Sequence, residues 1–149
     1  MNEVQQTKMQ IAIAPAAIVD DAAFTSNVID KTDFPGCDYL EFVGVIGATD
    51  VAMATLKVME SDTKTDATTL GGTPAEVKDS STKPGATDDN KLFVFGVDLK
   101  ASRERYLQLQ ATAGDGTSGT FLSAIVIGRR LSEASHRAAD RNLLFAEYA

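Results

Sequence analysis

Three pairs of closely spaced aspartates are the first candidates for catalysis or metal binding in this 149-residue chain. They are Asp20/Asp21, Asp62/Asp66 and Asp88/Asp89. Paired carboxylates can hold Ca²⁺ or serve as general acid and general base. None of the pairs has the EF-hand spacing with a central glycine and a terminal glutamate, and aspartate is common in turns. The sequence therefore favours solvated turn residues over a metal or catalytic site.

The single cysteine and the single histidine are the other candidates for chemistry. Cys37 and His136 lie far apart in the chain, and a catalytic thiol needs a base within hydrogen-bond reach. A lone cysteine forms no internal disulfide, and His136 has no neighbours at a metal-ligand spacing. Residues 114–116, Gly-Asp-Gly, lack the Lys-Ser/Thr of a phosphate loop. The sequence therefore predicts no enzyme, no metal and no cofactor.

Charge and length narrow the class of protein further. The formal net charge is −7 and the pI is near 4.6, which disfavours binding to a phosphate backbone. Residues 1–7 lack the basic and apolar regions of a signal peptide, and no apolar run approaches the roughly 18 residues that span a bilayer. We expect one domain, with neither nucleic acid nor membrane as a partner.

The stretch at 105–128 organises the predicted fold. Leucine and alanine alternate with polar residues over 106–113, which predicts a strand with one buried face. The run at 121–127 is apolar on both faces and predicts a strand that is covered on both sides. Between them, residues 113–119 contain an Asp-Gly pair, which predicts a tight hairpin joining the two strands.

The remaining chain supplies strands to pair with this hairpin. Further strands are predicted near 11–14, 24–29, 38–47, 52–60, 75–78 and 91–99. The strand at 52–60 is expected beside the strand at 38–47, with a short helix at 51–56 as the alternative. The polar excursion at 61–90 is expected to contain only the strand at 75–78. Within the last strand, the face formed by Phe93, Phe95, Val97 and Leu99 is the predicted core.

Many short strands separated by turn signals predict an all-β sandwich. The long connection after Glu60 favours a jelly-roll-like topology, although the pattern leaves a closed barrel open. We predict a polar N-terminal arm at 1–10, a β-sandwich domain at 11–131 and a helical or extended C-terminal tail at 132–149. The tail ends in the apolar residues Leu143, Leu144, Phe145 and Tyr148, which dock either on their own domain or on a partner. We expect them to contact a partner.

Three segments carry a resemblance to a protein family. They read GATDVAMATLKVMESD, ATDDNKLFVFGVDL and RERYLQLQATAGDGTSGTFLSAIVIGRR. These segments resemble small structural proteins encoded near the capsid genes of tailed bacteriophages, over about residues 38–130. The resemblance implies a head decoration (cement) protein with a jelly-roll-like fold and carries no catalytic motif.

The resemblance also implies a location and partners. We expect a virion protein on the outer capsid surface, assembled in the host cytoplasm, that contacts the major capsid protein and forms a dimer or trimer. Deleting residues 132–149 should leave the β-domain folded and weaken capsid attachment. The alternative is a carbohydrate-binding or host-adhesion module on the head or tail, with Tyr39 and Tyr106 as a stacking platform or Ca²⁺ at the aspartate-rich loops.

Overall fold

A computed structural model describes residues 8–130 and 143–149 of the chain. The strands are β1 Lys8–Ile13, β2 Ile29–Asp30, β3 Tyr39–Thr49, β4 Thr55–Ser61, β5 Lys64–Asp66, β6 Thr69–Leu70, β7 Ala75–Asp79, β8 Leu92–Asp98, β9 Tyr106–Thr112, β10 Thr120–Arg129 and β11 Leu143–Tyr148. Lys31–Asp33 form a single 3-10 turn. Within these described ranges, no helix is long and apolar enough to cross a membrane. The predicted all-β class is confirmed.

The strands form two packed sheets. One has five strands in the order β1-β10-β3-β8-β11, and the other has four in the order β2-β9-β4-β7, while β5 and β6 form a separate small hairpin. Neighbouring strands are antiparallel except β11, which runs parallel to β8. Without β5, β6 and β11, the eight remaining strands have the jelly-roll order, in which consecutive strands lie in opposite sheets except for β4 and β7. The predicted jelly-roll-like sandwich is therefore confirmed.

The core lies between the two sheets. It is built from the inward-facing residues of both, including Leu40, Phe42 and Ile46 of β3, Leu56 and Val58 of β4, and Leu107 and Leu109 of β9. Phe93, Phe95 and Val97 of β8 are fully buried, as predicted, and Leu99 is partly buried against them. The period of two along each strand places these residues on one face.

The predicted hairpin at 113–119 is wrong. β9 belongs to the four-stranded sheet and β10 to the five-stranded sheet, so this segment carries the chain across the sandwich. Asp50 anchors it, because its Oδ2 atom accepts hydrogen bonds from the backbone N–H groups of Thr117 and Ser118, both at 2.6 Å. Gly119 has a φ of +82°, a conformation that glycine adopts without strain. An Asp-Gly signal marks a reversal of the chain but does not reveal whether the flanking strands pair.

Other local predictions also need correction. β4 lies in the opposite sheet from β3, not beside it, and its first residue is Thr55, with no helix at 51–56. Only Ile29 of the predicted strand at 24–29 belongs to a strand, although Phe24 donates a backbone hydrogen bond to the Ala111 carbonyl. The excursion at 61–90 holds β5 and β6 as well as the expected strand at β7.

The arm and tail predicted at the two ends of the chain also differ from the structure. Residues 8–10 belong to β1, and Leu143–Tyr148 form β11, so these parts of the arm and the tail belong to the sandwich. Phe145 joins the core, with its ring centroid 5.8 Å from that of Phe93 and 5.2 Å from that of Phe95. Burying a large apolar ring is favourable, which explains why this segment pairs with its own sheet. Residues 1–7 and 131–142, which include His136, lie outside the described residues.

Candidate functional site

The outer face of the five-stranded sheet is unusually apolar. Its strands place Ile11, Ile125, Val43, Val94 and Ala146 opposite one another, in a row that crosses all five strands. An antiparallel sheet that packs on a core with one face normally shows polar residues on the other. The residue types of this row are therefore not explained by the core of the sandwich.

Part of this face is exposed to solvent. We call Met9, Ile11, Val43, Val45, Phe121 and Ile125 the apolar face; all lie on β1, β3 and β10. The exposed fractions are 60% for Met9, 51% for Ile11, 48% for Val45, 42% for Phe121 and 38% for Ile125. The prediction that β10 is covered on both sides is thus wrong at Phe121 and Ile125, whereas Ile127 on the same face is buried. Contiguous exposed apolar surface on a soluble domain commonly marks an interaction site.

A depression runs along the middle of the apolar face. The short side chain of Ser123 lies on β10 between Phe121 and Ile125, and this leaves a cavity of 340 Å³ beside Ile11 and Val45. A second cavity of 160 Å³ shares Pro15, Val45 and Ser123 with the first and extends it toward Phe121. We call the joined cavities the apolar trough. They can admit apolar side chains from another molecule.

The edge of β1 beside this face is partly covered. The side chain of Asn27 donates a hydrogen bond to the Ile11 carbonyl at 2.9 Å, and its backbone N–H donates one to the Ala12 carbonyl at 2.7 Å. These carbonyls are therefore not available to an added strand. The geometry favours contact through the face of the sheet over contact through its edge.

The four-stranded sheet has a polar outer face with its own cleft. The cleft has a volume of 570 Å³ and lies between Lys57, Gln108 and Gln110 of the sheet and the covering segments at 23–26 and 68–70. Gln108 is 4% exposed, and its Nε2 atom donates hydrogen bonds to the carbonyls of Ser26 at 3.1 Å and Thr68 at 2.7 Å. This side chain holds both covering segments on the sheet. Amides and an ammonium group can bind hydroxyl-rich ligands.

The predicted acid pairs anchor loops. Asp20 accepts a hydrogen bond from the Gly116 N–H at 3.1 Å, and Asp89 accepts one from the Thr49 N–H at 3.0 Å. A hydrogen bond from the Lys91 ammonium holds the pKa of Asp88 below its ordinary value. The backbone N–H of Thr68 does the same for the pKa of Asp66. Among the residues that the structure describes, no three Asp, Glu, His or Cys side chains are placed to hold a metal ion.

Cys37 shows no sign of activation. It is half-buried, and burial raises the pKa of its thiol, which lowers the thiolate fraction at neutral pH. The β-carbon of a side chain at Gly128 would lie 2.8 Å from the Cys37 sulfur, so the thiol packs against β10. Its environment is that of a packed side chain.

The predicted partner-contact residues are used largely inside the fold. Phe145 is in the core, Leu144 packs against it and Leu143 is half-buried. The Tyr148 ring lies over Gly96 and meets the Tyr39 ring edge to face at 6.4 Å. Because Tyr39 and Tyr106 lie in different sheets, they do not share a stacking platform.

Sequence reasoning missed the apolar face. The signal was present in the run at 121–127, whose outward residues Phe121 and Ile125 are as apolar as its inward ones. Such a run predicts a strand covered on both sides, because local pattern cannot distinguish burial within the chain from burial against another molecule. Comparisons of this chain with protein-family models, with curated proteins and with solved structures found no match.

Proposed function

We propose that this protein is a virion structural protein, a decoration (cement) protein that binds the outer surface of a bacteriophage head and stabilises neighbouring capsid subunits. The apolar face carries the proposal. Burial of apolar surface contributes about 25 cal/mol per Å², so covering Ile11, Val45 and Ile125 with a partner would favour attachment. The proposed partners are the major capsid protein and further copies of this chain in a dimer or trimer.

Two further properties support this function. The exposed apolar residues lie on strands of a packed sandwich, so the surface is pre-organised and little ordering is needed on binding. The net charge of −7 suits the outside of a head better than the side that faces DNA. A protein that binds only assembled capsid stabilises that assembly through mass action.

The test measures binding to empty heads assembled without this chain. Wild-type protein should fill repeated sites on the outer lattice, as seen by cryo-electron microscopy. Ile125→Glu should reduce occupancy more than about ten-fold, because it places a charge in an apolar contact. Gln110→Glu on the opposite face is the matched control and should bind like the wild type. Full occupancy by Ile125→Glu, or density at the tail in place of the head, would contradict the proposal.

The polar cleft favours a second candidate, a carbohydrate-binding or host-adhesion module. Lys57 and Gln110 at its floor could contact sugar hydroxyls, whereas Tyr39 and Tyr106 do not form a joint site. Screening against immobilised glycans tests this function. Binding that is lost in Gln110→Ala and retained in Ile125→Glu would favour adhesion over decoration.

A further inference from the structure

The apolar trough ends beside a group of carboxylates. Thr49 of β3 pairs with Thr120 of β10 at the end of the sheet that adjoins Phe121. Asp50 follows Thr49, and Asp89 accepts a hydrogen bond from the Thr49 backbone N–H. On the other side of this pair, Val19 bridges to Thr120 and Asp20 follows it. Negative charge is thus attached to the same strand ends that form the trough.

A fourth carboxylate lies in the crossover segment. Asp115 lies between Gly114 and Gly116. The Gly114 carbonyl accepts a hydrogen bond from the backbone N–H of Asp21, and the Gly116 N–H donates one to the Asp20 carboxylate. We call Asp20, Asp50, Asp89 and Asp115 the acidic rim. Within the described part of the chain, salt bridges involve Asp30, Asp79 and Asp88 among the aspartates, and none involves the rim.

Asp50 of the acidic rim is a carboxylate at neutral pH, because hydrogen bonds from the backbone N–H groups of Ser118 and Thr117 lower its pKa to about 2. Among the described residues, no lysine or arginine forms a salt bridge with the rim. Carboxylates of like sign that share one end of a domain repel each other and attract cations from outside. A partner with the opposite charge would remove this repulsion.

We propose that the apolar trough receives an apolar side chain from a protein segment whose neighbouring residues are lysine or arginine. The inference rests on the proposed function, because it defines the chemistry of the surface to which this protein attaches. The larger cavity of the trough has a volume of 340 Å³, within the range of about 300–1,000 Å³ typical of binding pockets. The apolar side chain fills the trough beside Ser123, and the cations face the acidic rim.

Three short peptides test the proposal by nuclear magnetic resonance titration of the nitrogen-labelled protein. The first has a central Leu-Phe pair flanked on each side by lysines, the second has glutamate in place of lysine, and the third has serine in place of Leu-Phe. The first should shift the amide signals of Val45, Ser123 and Asp89. The other two should bind at least about ten-fold more weakly. Equal binding by the glutamate peptide, or no shifts with the lysine peptide, would overturn the inference.

Variants separate this inference from the proposed function. The combined Asp20→Asn, Asp89→Asn and Asp115→Asn variant keeps Asp50, which anchors the crossover, and should bind the lysine peptide and the heads about ten-fold more weakly. If it binds heads like the wild type while Ile125→Glu does not, attachment through the apolar face stands and the cationic partner is refuted. If the free protein is a dimer that Ile125→Glu dissociates, a second copy occupies the trough and the inference is likewise overturned.

Discussion

The two outer faces of this sandwich differ although the two sheets share one core. On β4 and β9 the outward positions carry Thr55, Lys57, Gln108 and Gln110, whereas on β1, β3 and β10 they carry Ile11, Val45 and Ile125. The inward positions are apolar in both sheets. Folding alone requires only the inward pattern, so the core of the sandwich does not account for the difference between the two outer faces.

The two outer faces also differ in how far the chain itself covers them. It covers part of the polar face with its own segments at 23–26 and 68–70, which Gln108 holds by two hydrogen bonds. On the apolar face, Met9 and Ile11 remain at least half exposed. Solubility alone would favour an exposed polar face and a covered apolar face. In this sandwich the chain covers part of the polar face and leaves part of the apolar face exposed.

The greatest loss of stability should follow from a change in the core that both sheets share. Phe145→Ala should lower the free energy of unfolding by about 3–5 kcal/mol, because its ring packs between Phe93 and Phe95. Phe145→Leu retains most of the volume and should cost less than about 1.5 kcal/mol. Urea denaturation measures both. A loss below about 1 kcal/mol for Phe145→Ala would mean that β11 contributes little to the sandwich and acts as an arm. The five-stranded sheet would then not include β11 in its stable core.

A smaller loss is expected on the polar face. Gln108→Ala removes the donor that holds the Ser26 and Thr68 carbonyls, which should cost about 1–3 kcal/mol and speed hydrogen exchange in the covering segments. Gln110→Ala is the control, since the Gln110 amide donates a hydrogen bond to the Gln108 side chain and not to either covering segment among the described residues. Head binding should stay unchanged in both variants. Reduced attachment by Gln108→Ala would show that the polar face also contacts the partner.

The crossover beside the trough should respond to pH. The folded-state pKa of Asp50 is about 2, below its ordinary value of 3.8, so its carboxylate stabilises the fold above pH 3.8, and this contribution is lost as the pH falls toward 2. Asp50→Asn should therefore melt at a lower temperature than the wild type at neutral pH, with the gap closing in acid. Asp115→Asn, at an exposed position of the same segment, should melt like the wild type throughout. A constant gap across this range would refute the anchoring role.

The least loss of stability is expected on the apolar face itself. Val45→Thr changes an outward residue that is 48% exposed, so the free energy of unfolding should change by no more than about 0.5 kcal/mol. Its inward neighbour Ile46 is fully buried, and Ile46→Thr should cost well over 1 kcal/mol. Thermal unfolding of both variants measures the two losses of stability. Equal losses would indicate that Val45 is already covered within the free protein.

Much of the fold could be predicted from sequence, and little of the site. The strands at β3, β8 and β9 and the buried face of Phe93, Phe95 and Val97 follow from local alternation, and β10 follows from its continuous apolar run. The residues proposed for partner contact did not lead to the apolar face, because Phe145 and Leu144 pack on their own domain. Apolar residues at a chain end have the same local pattern whether they pack on their own domain or on a partner.

Local sequence was enough to place β3, β4, β7, β8, β9 and β10 and to identify the all-β class, because strand periodicity and apolar runs are properties of the segment itself. The crossing of residues 113–119 between sheets, the pairing of β11 with β8 and the exposure of Phe121 and Ile125 emerged only from the three-dimensional structure. Those features depend on contacts between residues distant in sequence. Strand pairing and the exposure of a face are properties of the assembled sheets, which local pattern does not contain.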